Sequence, residues 1–198
     1  DLLFWFTQGD YLSASEAETD PTFQDIVQQL KAIYDQVEVN LTITYKDVNE
    51  TDAAFLAVIE DDVQKEELFD LGSNNRNVMN IFIIDEIVSD ENGFATLGEA
   101  SSIPIVPAHE SLNSVGGVVI SGLLMESNRR FAETIAHEIG HALGLMHTTE
   151  QEGNEFDPLI DTKKCTLNQD TDDSMEVSAE ECMTWGADNL MFWTPPNN

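Results

Sequence analysis

Hydrophobic positions follow two periods along the chain. Leu2-Leu3-Phe4-Trp5-Phe6 is a short apolar run that predicts a buried strand over 2–7. Behind Pro21, the residues Phe23, Ile26, Val27, Leu30, Ile33, Tyr34 and Val37 recur at helical spacing and predict an amphipathic helix over 22–37. Val39, Leu41, Ile43 and Tyr45 alternate with Asn40, Thr42 and Thr44, the pattern of a half-buried strand. An apolar stretch at 52–59 leads into a helix over 61–71, closed by Gly72. Residues 78–84, Val-Met-Asn-Ile-Phe-Ile-Ile, are nearly continuously apolar, as suits a central parallel strand covered on both faces. The Gly-, Ser- and Pro-rich region 89–115 predicts a long loop with an edge strand within 102–107. Residues 117–121 predict a further strand. Arg129 to Leu143 predicts a helix with Phe131, Ile135, Ile139 and Leu143 on one side.

Strands and helices thus alternate, which predicts an α/β (α+β) fold with a mostly parallel sheet. After Gly144 the chain becomes polar and turn-rich. The expected organisation is one domain of two parts: 1–147 with the sheet and a chemistry-bearing helix, and 148–198 as a small irregular subdomain.

At 198 residues and 41% apolar content, the chain can bury a core without a staple, and disorder is excluded as its main state. No apolar run reaches the length of about 18 needed to span a bilayer, so membrane insertion is not expected. Eight Lys and Arg stand against 38 Asp and Glu, a formal charge of −30. That excludes nonspecific binding to nucleic acid or anionic lipid, which needs a cationic face. It leaves carboxylates for calcium and suits a salty medium, although a solvated acidic surface without a specific task explains it equally well.

Cys165 and Cys182 can form one disulfide, closing a loop of about 17 residues worth roughly 3 kcal/mol. This favours a secreted, oxidising setting, with two reduced thiols as the alternative. The chain opens on a strand rather than a signal peptide, so a leader and a pro-segment are expected upstream. Asn40 and Asn49 stand in glycosylation patterns too short to carry weight.

Three of the four histidines fall within eleven residues: His137, His141 and His147. On a helix, positions i and i+4 share a face, so His137 and His141 can hold one ion together. Gly144 can adopt positive φ, end the helix and bring His147 back as a third ligand. Three imidazoles leave a fourth tetrahedral position for water, as in catalytic rather than structural zinc sites. Zinc lowers the pKa of such a water to about 7. Glu138, one step round the helix, can take its proton as the water attacks a carbonyl, then pass it to the leaving amine.

The run His137-Glu138-Ile139-Gly140-His141-Ala142-Leu143-Gly144-Leu145-Met146-His147 resembles the long zinc signature of the metzincin clan of metallopeptidases. Within it, residues 137–145 are most similar to matrixins; the likeness stops after His147, at Thr148-Thr149. Asn189-Leu190-Met191-Phe192-Trp193 resembles the clan's Met-turn, with Met191 as the structural methionine. Trp193 stands where astacins and serralysins carry a tyrosine that ligates the metal or stabilises the oxyanion. Oxyanion stabilisation then falls mainly to the zinc. The resemblance implies a twisted sheet with backing helices, a cleft, a small lower lobe, and an edge strand, within 95–107 here, along which an extended peptide binds.

A second candidate site is Asp170-Thr171-Asp172-Asp173-Ser174-Met175-Glu176-Val177-Ser178-Ala179-Glu180-Glu181. In an EF-hand loop the ligands sit at positions 1, 3, 5, 7, 9 and 12. Asp170, Asp172, Ser174, Glu176 (through its carbonyl), Ser178 and Glu181 occupy those places. Met175 stands where the pattern wants Gly and would need positive φ. Asp157 and Asp161 add carboxylates nearby without a specific spacing. His109 reads as a surface residue, with substrate contact or a second metal as the minor alternative. Trp5 and Trp185 read as packing. Trp193 reads as packing too, or as lining for a substrate pocket.

The expected function is therefore a monomeric, secreted, zinc-dependent endopeptidase acting on peptides or proteins, with one catalytic zinc and a candidate calcium. Its net charge predicts a preference for basic or neutral peptides. Two rivals stay open: a zinc hydrolase of non-peptide amides or esters, and a calcium-stabilised binding module with a non-catalytic zinc site. An intact Glu138 argues against the second.

Overall fold

The structure is a computed structural model; it describes residues 1–7, 11–73, 75, 77–88, 96–105, 116–122 and 127–194. The chain divides into two compact units, Asp1–Ala142 and Leu143–Asn198.

In the first unit, strand β1 (Leu2–Phe6) is buried at all five positions. Helix α1 (Ala14–Ala17) starts at a capping box formed by Ser13 and Glu16. Helix α2 (Pro21–Asp35) is started by the Asp20 side chain, which accepts from the Phe23 N–H, and by Pro at its first turn. Strand β2 (Ile43–Asp47), helix α3 (Glu50–Leu56), strand β3 (Val58–Ile59) and helix α4 (Asp62–Asp70) follow. Then come β4 (Met79–Ile84), β5 (Glu86–Ile87), β6 (Gly98–Ala100), β7 (Val118–Ser121) and helix α5 (Asn128–Ala142).

The main sheet has the order β2-β1-β4-β7-β6. Its first four strands pair in parallel, and β6 lies antiparallel to β7 at the edge. β3 and β5 form a separate two-stranded parallel sheet. The mixed α/β class with a mostly parallel sheet is as the periodicity predicted.

Strand alternation sends β1 side chains to two cores. Phe4 and Phe6 meet Phe23 of α2 edge-on at 5.9 and 5.4 Å, and Phe23 meets Phe131 of α5 at 6.5 Å. On this face the Tyr34 hydroxyl donates to the Ala136 carbonyl at 3.1 Å, tying α2 to α5. On the other face Trp5 stacks on Phe82 at 5.7 Å, within a cluster that includes Leu56, Leu68, Phe69 and Ile87. Trp5 is thus a packing residue, its ring N–H satisfied by Asn80 Oδ1 at 2.9 Å.

Two predicted strands begin elsewhere. The alternation at 39–45 becomes a strand only from Ile43. The preceding residues close α2 instead: Glu38 takes φ 59° and the Val39 N–H donates to the Tyr34 carbonyl. Among the described residues the edge strand lies at 98–100 rather than at 102–105, inside the broader 95–107 range that the metzincin resemblance implied; 106 and 107 lie outside the described residues. Within the narrower range the Ile105 N–H donates to the Ala142 carbonyl, serving the end of α5 rather than a sheet.

Among its described residues the second unit is irregular, with one short 3₁₀ turn at Leu167–Gln169. Cys165 and Cys182 are joined by a disulfide with Cα atoms 5.7 Å apart. Both are fully buried in a small core with Val177, Ala179, Ala187 and Phe192. No helix among the described residues is long and apolar enough to cross a membrane.

Candidate active site

Helix α5 supplies the first elements of the site. Its start is capped by Ser127, whose hydroxyl accepts from the Arg130 N–H at 3.2 Å. Phe131, Ile135 and Ile139 bury one stripe of the helix. That anchoring fixes the rotation of the helix about its axis, and so where His137, Glu138 and His141 project. The helix ends at Ala142, and Gly144 takes φ 100°, a conformation disfavoured for residues with a Cβ.

His137 and His141 face one another, ring centroids 4.6 Å apart and nearly perpendicular. One ring nitrogen from each of His137, His141 and His147 lies within 4.8 Å of the other two. The three share one eleven-residue run, so their convergence is a local property of that run. Three convergent imidazoles form a nitrogen donor set that fits zinc and leaves a coordination position open.

Glu138 is 7% exposed, and burial is the main force pushing its carboxyl up to about 8. The nearby charge of Glu99 pushes the same way, and a hydrogen bond from the Ala100 N–H opposes both. Both neighbours belong to the edge strand β6. Ser121 N donates to the Leu97 carbonyl and Ser101 N to the Gly117 carbonyl, so 97 and 101 face β7. By antiparallel alternation, the backbone groups of Gly98 and Ala100 point away from the sheet. Ala100 uses its outward N–H on Glu138. Lys65 of α4 bridges both oxygens of Glu99, at 2.7 and 3.0 Å.

His147 has a carboxylate partner. Its Nδ1 lies 2.8 Å from Oε2 of Glu150. Met191 is buried at the tight turn that starts at Asn189, where the Asn189 side chain accepts from the Met191 N–H at 2.9 Å. The Met191 carbonyl accepts from the Thr148 N–H at 2.8 Å. Trp193 donates its ring N–H to the Val177 carbonyl at 2.8 Å, and Trp185 is about half exposed.

The acidic loop also converges. One carboxylate oxygen from each of Asp170, Asp172 and Glu181 lies within 4.8 Å of the others. Asp170 accepts from the Ser174 and Met175 N–H groups, and Met175 adopts φ 68°. Hydrogen bonds from the backbone of Ser178 and Thr171 and from their hydroxyls bring the Glu181 carboxyl down to about 2. Ser174 donates its hydroxyl to the Glu176 carbonyl, and Ser178 donates its own to Glu181. Asp157 stands outside this group. It is buried and accepts from Leu159 N–H and the Thr162 hydroxyl, holding a turn. Asp161 is exposed. His109 lies outside the described residues.

Gly98, Glu99, Ala100 and Glu150 were not singled out from the sequence. Nothing in a Gly-Glu-Ala triplet signals a partner forty residues on. Glu150, three residues after His147, carried a faint signal of spacing alone.

The fold and the histidine site together define a metallohydrolase class. The model of the peptidase M43 family, described as pregnancy-associated plasma protein-A, matches residues 61–194, more than half of the chain. The chain belongs to this family of metzincin-type zinc metalloproteases. The matrixin-like subtype expected from residues 137–145 is not shown by this match. Among solved structures, the crystal structure of metalloproteinase-II from Bacteroides fragilis is similar over 76% of this chain, with 18% identity and a TM-score of 0.47. The match covers 43% of that protein's chain, so the sequence described here spans less than half its length. No match is found among curated proteins.

Proposed function

We propose that the chain is a zinc-dependent endopeptidase in which His137, His141 and His147 hold the metal. The observation that carries this reading is three convergent imidazoles on the same run of chain as a buried carboxylate. Zinc, when bound, supplies Lewis acidity and an acidified water. Glu138 acts as general base and then carries the proton to the departing amine. Its burial beside His137 supports the role, because a carboxylate shielded from water is more basic than a solvated one.

The edge strand β6 receives the peptide in extended form, backbone to backbone. Its outward groups at Gly98 and the Ala100 carbonyl are suited to such pairing. Met191 is the structural methionine of the Met-turn. The protein acts as a secreted monomer; the disulfide supports an oxidising compartment. The charge of −30 favours basic or neutral peptides over acidic ones.

The loop 170–181 takes one calcium through Asp170, Asp172, Ser174, Ser178, Glu181 and the Glu176 carbonyl. Three convergent carboxylates and the positive φ of Met175 support this.

Glu138→Ala tests the mechanism. It is expected to keep zinc and fold while cleavage falls by roughly 10²–10⁴-fold, the usual contribution of a general base. Retained cleavage with retained zinc contradicts the assignment. Elemental analysis of the dialysed chain tests the calcium reading, with Asp170→Ala as the control.

A further inference from the structure

We propose that Glu150 is a positioning residue for the zinc site: it orients the His147 ring and commits its Nε2 to the metal. This rests on the zinc reading above.

A histidine can offer either ring nitrogen to a metal, and the hydrogen bond made by the other nitrogen decides which. At His147 the choice is made by geometry. Nδ1 lies 2.8 Å from Oε2 of Glu150, so the Nδ1–H tautomer donates to the carboxylate and the lone pair is on Nε2. A carboxylate in this position also makes the imidazole a stronger donor. His147 needs such help more than the other two. His137 and His141 ride on a helix whose rotation is fixed by its buried stripe. His147 follows Gly144 on irregular chain, in a unit with little regular structure.

Glu150 can give that help because its own backbone is held. Its N–H donates to the Glu155 carbonyl at 3.1 Å, and its carbonyl accepts from Gly153 at 2.9 Å. Gly153 adopts φ 60°, and a Cβ there would lie 2.9 Å from the Leu167 nitrogen, so the turn is specific to glycine. On one side of Glu150, the buried Thr149 hydroxyl accepts from the N–H of disulfide-bonded Cys165 at 3.1 Å. On the other, the Gln151 carbonyl accepts from Val177 at 2.8 Å. The disulfide-braced unit thereby presents one carboxylate at a fixed place beside one zinc ligand. At 22% and 39% side-chain exposure the pair is worth little to folding as an ion pair, so its effect belongs to the metal.

The test is zinc affinity by competition with a chelating dye, on the wild-type chain, Glu150→Ala and Glu150→Gln. Thermal unfolding of each metal-free protein shows whether the fold is kept. Glu150→Ala is expected to weaken zinc binding by roughly 10–100-fold, as loss of a partner to a metal-bound histidine does. Glu150→Gln keeps an oxygen acceptor and is expected to fall between it and the wild type. Long-range ¹H–¹⁵N spectra of the metal-free wild type are expected to show His147 as the Nδ1–H tautomer. Affinities within twofold of wild type in both variants, or an Nε2–H tautomer, overturn the proposal. The function reading fails separately. A wild-type chain that binds zinc tightly, weakens in Glu150→Ala, but cleaves no peptide keeps Glu150's role and removes the peptidase.

Discussion

A Cβ placed on Gly98 would lie 2.8 Å from the Cγ of Glu138. It would also meet the Ile120 Cδ1 at 2.8 Å and the Thr134 Cγ2 at 3.2 Å. The two 2.8 Å approaches are shorter than real Cβ atoms make, so the absence of a side chain at 98 lets the edge strand lie against the helix that bears the proposed base. Two residues on, the Ala100 N–H donates to the same carboxylate. Gly98→Ala is therefore expected to displace Glu138 while sparing the histidines. A misplacement of ~1 Å costs about 10²-fold in rate. Measured kcat/KM should fall by that order with zinc content unchanged; an unaltered kcat/KM would show that Glu138 tolerates the crowding.

Burial gives the metal-free chain a pH dependence of definite sign. The Glu138 carboxyl is pushed up to about 8 from an ordinary 4.5. Between those values the folded chain binds more protons than the unfolded one, so this group makes stability fall as pH rises through that window. At 1.36 kcal/mol per pH unit the effect is bounded at about 5 kcal/mol. Chemical denaturation of the metal-free protein at several pH values should show a decline that is flattened in Glu138→Gln. Identical slopes in both proteins would assign the dependence elsewhere.

Thr148 is 3% exposed, and its hydroxyl has no partner among the described residues. An unsatisfied buried hydroxyl costs about 1–3 kcal/mol. Thr148→Val keeps the shape, and the backbone bond to Met191 does not depend on the side chain. The variant is expected to be more stable by about 1 kcal/mol, read as a higher denaturation midpoint. A lower midpoint would reveal a partner for the hydroxyl.

The disulfide closes a separation of 17 residues around the acidic loop. Replacing both cysteines by Ala is expected to cost ~3 kcal/mol on the loop-closure scale. Because both sulfurs sit in the small core of the second unit, the loss should appear as faster hydrogen exchange at Val177, Ala187 and Phe192 first. Unchanged exchange there would contradict a bracing role.

How much of this was legible beforehand divides along physical lines. The parallel strands β1 and β4 were readable because strands covered on both faces need continuous apolar runs. The zinc helix was readable because i, i+4 spacing on a helix dictates a shared face. The loop's need for positive φ at Met175 was readable because one position of the pattern demands it. Strand β2 starts later than the alternation predicts because Val39 is taken up by the close of α2, a choice that alternation cannot show. The approach of Gly98 and Ala100 to Glu138 was invisible because it depends on how an edge strand lies over a helix. The Glu150 contact needed the turn at Gly153 to become real.

Zinc dependence decides whether the histidine site is a working peptidase. It is tested most directly by metal analysis of the dialysed chain paired with casein cleavage before and after chelation. About one zinc per chain is expected, with cleavage abolished by chelation and restored by added zinc. A chain that takes up no zinc on reconstitution, or that cleaves casein equally well without it, is not a zinc peptidase.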